Sequence, residues 1–180
     1  MLTDKELKEE LHALEGAGAG DRYISALLSF GGALGREEKG LYLSYTTHDY
    51  LLAWEMAGYM REHYRYHGEV SIVDPDDKRR NRVYCFEMRG KAALDLLSDL
   101  GKIKREKEEI VSFDLGVKSK IASEKDAGEY ARAVYLSVGS LTRAAEGLRL
   151  EMVFELESDA DAFLAFLKKE DILLSKSEKG

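Results

Sequence analysis

The feature that most constrains this chain is that one succession of elements is written twice. Ile24-Ser-Ala-Leu-Leu-Ser-Phe-Gly-Gly-Ala-Leu34 and Ala131-Arg-Ala-Val-Tyr-Leu-Ser-Val-Gly-Ser-Leu141 are both runs of apolar and small residues, the composition of a helix buried all round. Each is followed by a glycine-preceded alternating strand and then by an amphipathic helix. Self-similarity at long period means two copies of one supersecondary unit. Small side chains at Ser25, Ala26, Ala133 and Ser137 let the two helices approach closely along a pseudo-twofold axis.

The remaining elements follow from period and punctuation. Thr3 and Glu6 have capping-box spacing ahead of Leu7, Leu11 and Leu14, which predicts a short lead-in helix over 1–20 that stops in the Gly16–Gly20 stretch. Asp21 is placed to cap the first buried helix, Tyr23 to Leu34. Gly40 to Thr46 alternates, with Leu41, Leu43 and Tyr45 on one face, as a half-buried strand does. Leu51 to Tyr64 reads as a helix. Glu69 to Val73 and Arg82 to Met88 flank the turn-forming residues 74–81 and make a hairpin. Lys91 to Leu100 closes a first repeat of order α-β-α-β-β-α over 21–101, and the charged, aperiodic run 102–123 reads as a connector. The second repeat, 124–180, restarts with a helix over Ala127 to Leu141, an alternating strand over Gly147 to Glu155 whose Leu148, Leu150, Met152 and Phe154 face the helices, and a helix over Asp159 to Lys169. Ile172 to Ser175 then begins a hairpin strand, and this copy reads as truncated. The expected fold is α/β (α+β): two repeats with their buried helices side by side at the centre, and a curved antiparallel sheet covered by helices on one side.

Composition narrows the function classes. A net charge of −7 opposes a main role in coating nucleic acid, because phosphate binding rests on clustered Lys and Arg. No apolar window is long enough for a membrane span, so a cytoplasmic protein is expected, nucleoid-associated if bound to DNA. Cys85 is the single cysteine, which excludes an internal disulfide and zinc sites built from several thiolates.

Both buried helices are similar to the motif LAGLIDADG-Ser-Ile, with Gly32 and Gly139 on the motif's last glycine. With the leading helix Leu2-Thr-Asp-Lys-Glu-Leu-Lys-Glu-Glu-Leu11, the chain resembles the degenerate LAGLIDADG homing-endonuclease-like N-terminal domain of the WhiA family, bacterial regulators of sporulation and cell division. In active LAGLIDADG nucleases each half contributes an acid just before that glycine, and the pair holds divalent metal over the scissile phosphates. Here those positions are Gly31 and Val138, and the motif's other Asp position is Ser29 in one copy and Leu136 in the other. Neither Gly31 nor Val138 can ligate a metal. The resemblance therefore implies a non-enzymatic regulatory or interaction module without metal or cofactor. WhiA proteins bind DNA mainly through a C-terminal helix-turn-helix, a segment absent from this sequence, so weak DNA contact and a possible protein partner are expected of these residues.

Lys78, Arg79, Arg80 and Arg82 at the hairpin tip contact phosphates, or else keep a turn soluble. His63 and His67, four apart, read as a solvated face. If Leu148, Leu150, Met152 and Phe154 face the helices, Glu151 and Glu155 lie on the sheet face that would meet DNA, where they repel phosphate, while Trp54 and the ten tyrosines read as core and strand residues. Two rival functions stay open: a nuclease with relocated acids, and a purely protein-binding module.

Overall fold

The computed structural model describes residues 3–14, 19–38, 40–73, 82–107, 109–116, 123–145 and 147–177. Helix α1 (Asp4–His12) starts at the Thr3 capping box, in which Thr3 Oγ1 accepts from the Glu6 N–H at 3.2 Å and the Thr3 N–H donates to the Glu6 carboxylate at 2.8 Å. Helix α2 (Asp21–Gly31) leads into strands β1 (Gly32–Glu37) and β2 (Gly40–Thr47), and helix α3 (Tyr50–Tyr64) into β3 (Val70–Val73) and β4 (Val83–Arg89), with α4 (Gly90–Asp99) after them. The antiparallel order is β1-β2-β4-β3. A separate hairpin, β5 (Ile103–Glu106) and β6 (Glu109–Phe113), precedes helix α5 (Glu124–Val138), the hairpin of β7 (Gly139–Ala144) and β8 (Gly147–Met152), and α6 (Glu157–Lys169).

Helices α2 and α5 pack together at the centre as the small-residue pattern predicts. Tyr23, Ile24, Leu27 and Leu28 meet Tyr130, Ala133, Val134 and Leu136 in one buried core, and the Arg132 guanidinium lies 4.1 Å from the Tyr23 ring centroid across the interface. Around α5 the core is aromatic: Tyr130 meets Phe163 and Phe166 edge-on, and Phe154 links Phe163 to Phe30 of α2.

The repeats keep one register. Gly32 faces Tyr45, Leu34 faces Leu43 and Glu37 faces Gly40; shifted by 107 positions, Gly139 faces Met152, Leu141 faces Leu150 and Ala144 faces Gly147. The same shift carries Tyr50, where α3 begins, to Glu157, where α6 begins.

Several boundaries differ from the sequence reading. The central helices stop three residues early, at Gly31 and Val138, and what read as helical continuation to Leu34 and Leu141 is the start of β1 and β7. The first repeat therefore runs α-β-β-α-β-β-α. The cause is steric: a Cβ on Gly32 would lie 2.4 Å from the Leu28 carbonyl oxygen and one on Gly139 2.6 Å from that of Tyr135. Both glycines are extended, with φ of −83° and −88°, so each is needed for close approach rather than for a left-handed turn. Asp21 is not the cap of α2. Gly20 holds that position, and Asp21 accepts from the Tyr59 hydroxyl at 2.6 Å instead. The expected connector contains the β5–β6 hairpin, and the described strands form three sheets rather than one.

In the second repeat the expected apolar face is covered only in part: Met152 and Phe154 pack against the core, but Leu148 is 58% and Leu150 42% exposed, although their counterparts Leu41 and Leu43 sit at the first core. Among the described residues no strand forms over 172–175. Trp54, expected in the core, is exposed beside Tyr50.

Gly139→Ala should lower stability by about 1–3 kcal/mol, since the new methyl must displace a helix carbonyl. Gly58→Ala, within α3 where a Cβ meets nothing within 4 Å, should instead raise it by roughly 0.5–1 kcal/mol. Urea unfolding of the two variants measures both signs.

Candidate functional site at the paired helix ends

The C-terminal ends of α2 and α5 open into a cleft of about 830 Å³ whose lining includes Ser29, Gly31, Ser137, Val138, Thr46, His48, Glu155 and Asp159. This is where the motif would place its two acids. A Cβ on Gly31 would lie 2.3 Å from the Thr46 carbonyl oxygen and 2.7 Å from the Tyr45 ring. No side chain fits there without moving β2. Val138 supplies only methyl groups to the same cleft. Among the described residues no group of three His, Cys, Asp or Glu side chains is placed to hold a metal ion.

Beside the helix ends lies a charge the sequence reading missed. Lys102 is 3% exposed, and its ammonium donates to Ser29 Oγ at 3.0 Å and to the carbonyls of Leu115 and Gly116 at 2.9 and 3.0 Å. Ser29 also donates to the Leu115 carbonyl at 2.7 Å. A motif position that is acidic in the nucleases thus accepts from a buried lysine and ties α2 to the segment after β6. Burial pushes the Asp159 carboxyl up from the usual range and nearby Asp114 adds to this, while Lys102 works the other way. In sequence, Lys102 is one charge in a charged run, with no periodic signal.

The second missed cluster surrounds α1. His12 places Nδ1 2.8 Å from Glu55 and Nε2 3.0 Å from Asp49, and the Tyr23 hydroxyl donates to the other oxygen of Glu55. Asp49 also caps α3 by accepting from the Leu51 N–H at 2.9 Å. Burial alone would lower the His12 pKa, but the two carboxylates outweigh it and raise the pKa to about 9. At the other end of α1, Asp4 accepts from the Tyr135 hydroxyl and the Leu141 N–H, both at 2.8 Å. Burial opposes its charge, yet these donors and Lys8 hold its carboxyl below the usual range.

Of the basic tip, Lys78, Arg79 and Arg80 lie outside the described residues; Arg82 is exposed, with its carbonyl 3.1 Å from His48 Nδ1. His63 stacks on Tyr59 at 4.2 Å. On the sheet face shared by Tyr42, Ser44 and Thr46, Arg89 is held by Glu37 at 2.5 Å and Glu87 at 2.7 Å. In the second repeat Glu151 pairs with Arg149 at 2.6 Å, and Glu155 stays exposed at the cleft.

The His12 cluster predicts a pH dependence. Because the folded pKa exceeds the unfolded value of 6.5, its stabilisation is complete below pH 6.5 and is lost as pH rises through about 9. After allowance for solvent screening it should amount to roughly 1–2 kcal/mol. Urea unfolding of the native protein between pH 6.5 and 9.5 should show this loss, and His12→Ala should flatten the profile over that window.

Comparison with known proteins finds similarity in both sequence and fold. Residues 20–103 match the model of the WhiA N-terminal LAGLIDADG-like domain. The "Probable cell division protein WhiA" of Streptococcus thermophilus is 27% identical over 172 residues, which is 95% of this chain and 54% of that protein. Its namesake from Streptococcus mutans is 26% identical over 177 residues, 98% of this chain and 56% of that protein. The chain thus spans about half the length of the curated relatives it matches. Among solved structures, the N-terminal LAGLIDADG domain of DUF199/WhiA superposes with a TM-score of 0.57 at 15% identity, covering 92% of this chain and 73% of that one. Full-length DUF199/WhiA from Thermatoga maritima gives 0.55 at 17% identity, over 94% of this chain and 50% of that one. A variant of I-DmoI in complex with its target DNA and in the presence of Mn gives 0.51 at 10% identity, over 86% and 77%. Residues 20–103 are thus similar in sequence, and most of the chain is similar in fold, to the WhiA N-terminal LAGLIDADG-like domain.

Proposed function

We propose that these residues form a non-catalytic regulatory or interaction module of a WhiA-like DNA-binding transcriptional regulator of sporulation and cell division. The units are a lead-in helix (1–20), a first repeat (21–101), a connector (102–123) and a second repeat (124–180). The observation that carries the non-catalytic reading is the state of the two acid positions. Val138 has no ligating atom, and Gly31 is closed by Tyr45 and Thr46, so neither helix end presents a carboxylate to a metal. DNA contact through this module is weak, the main grip belonging to a helix-turn-helix elsewhere in such regulators. The pairing of Arg89 with two carboxylates supports this, because a neutralised arginine releases few counterions from phosphate. No described helix is long and apolar enough to cross a membrane. A protein-docking role is the second reading, favoured by the exposed Leu148, Leu150, Val153 and Leu156 of the second repeat.

Supercoiled DNA incubated with this protein and Mg²⁺ or Mn²⁺ should stay intact, and cleavage abolished by a chelator would overturn the non-catalytic reading. Gly31→Asp with Val138→Asp should not create a nuclease. It should destabilise the fold by roughly 1–3 kcal/mol, because the new side chain at 31 collides with β2. Binding to DNA should fall in the non-specific range of roughly 10⁻⁴ to 10⁻⁶ M at physiological salt. Neutralising Lys78, Arg79, Arg80 and Arg82 together should remove it, and each lost phosphate contact should reduce the salt slope by about one unit. Tight, sequence-selective binding that survives this change would put recognition elsewhere.

A further inference from the structure

Helix α1 is fastened to the body in an unusual way for an element at the central interface. None of its residues is buried as a whole, though the His12 side chain is only 8% exposed; Leu11 alone of its apolar side chains packs against the core, and only in part. Its two ends are held instead by side-chain hydrogen bonds, and they hold different repeats. Asp4 is bound by Tyr135 of α5 and by the N–H of Leu141 in β7. His12 is bound by Asp49 and Glu55 at the start of α3. Between these ends, Lys8 pairs with Asp4 at 3.2 Å and lines the helix-end cleft. The cleft is bordered on one side by Asp49 and Tyr50 and on the other by Ser137 and Gly139. A helix tied at Leu141 and at Asp49 therefore runs beside the cleft, with Lys8 in its lining.

We propose that α1 is a displaceable strap, latched by Asp4 to the second repeat and by His12 to the first, whose release opens the helix-end cleft while the two-repeat core stays folded. The energetics favour release as a local event. Opening removes few apolar contacts, and elements with few buried apolar contacts are those that open below the global unfolding free energy. The charged groups facing the His12 end are Asp49 and Glu55 of α3, with Tyr23 of α2 and Tyr45 of β2 next to them; those facing the Asp4 end are Lys8 and Tyr135. Loss of either latch leaves the body's own partners in place: Tyr23 still donates to Glu55, and Asp49 still caps α3.

Two readouts on the full chain test this. Leu141 N–H donates directly to Asp4, so its hydrogen exchange reports the second-repeat latch. Ser137 lines the cleft and its hydroxyl is fully shielded without a hydrogen-bond partner, so Ser137→Cys in a Cys85→Ser background reports cleft access through its rate of thiol labelling. Combining Asp4→Ala with His12→Ala should speed both Leu141 exchange and Cys labelling by about tenfold or more, while the Leu27 and Val134 amides of the central helices keep their protection. Asp4→Ala alone, which releases one end only, should give a smaller rise in both. Unchanged exchange and labelling in the double variant would show that the latches do not hold α1. Equal loss of protection at Leu27 and Val134 would show that α1 is part of the global folding unit, and either result overturns the strap.

Discussion

The close contact of α2 with α5 is the constraint from which the rest of this structure follows. Two helices largely buried against each other, each shedding its Cβ atom where the chain turns into a strand, end at Gly32 and Gly139. A methyl group at either position would run into the last helical carbonyls. Because both helices end in the same extended geometry, both deliver a hairpin in the same register, and the surface helix after it starts at the same count of residues. The pseudo-symmetry is thus set by one steric event used twice, and the cleft lies where the two events meet.

That packing also bears on the chemistry. In a site of this design the acid must project from the residue before the terminal glycine, which is the place where β2 presses closest to α2. In this chain the Tyr45 ring and the Thr46 carbonyl occupy the space a side chain at 31 would need. Gly31 is therefore more than a missing carboxylate, since its neighbours have closed over the position. Lys102 completes the change of character. Its Nζ donates to one hydroxyl and two carbonyls beside the motif helix, hydrogen bonds that offset the cost of burying a polar group there.

Legibility in the sequence followed the range of the interaction. The α1 cap, the alternation of β2 and the β3–β4 hairpin are written in residues close in sequence, and the pairing of α2 with α5 shows as one local small-residue pattern used twice; the structure has all four close to these places. The starts of β1 and β7 were misread because an apolar run of small residues has no period that separates a helix's last turn from a buried strand. The β5–β6 hairpin was hidden by its exposure: Lys104, Arg105 and Glu106 in β5 and Glu109 in β6 are all open to solvent, so neither strand carries an inward stripe. The site fared worst. His12 meets Glu55 across 43 positions and Lys102 meets Ser29 across 73, and no local pattern announces contacts of that kind.

The two hairpins show how far a pattern can be pushed. Leu41 and Leu43 of β2 and Leu148 and Leu150 of β8 occupy the same places in the same ladder, with the same alternation around them. Yet Leu43 is fully buried and Leu150 is 42% exposed. The difference lies in neighbours that the strand itself cannot specify. β2 has β4 along its second edge, with Met88 opposite Leu43, and α4 packs against both strands. β8 has β7 alone for a partner among the described strands. Alternation in a sequence fixes which face of a strand is apolar; whether that face becomes core depends on a third strand and a helix arriving to cover it, and here one repeat has them in the described structure and the other does not.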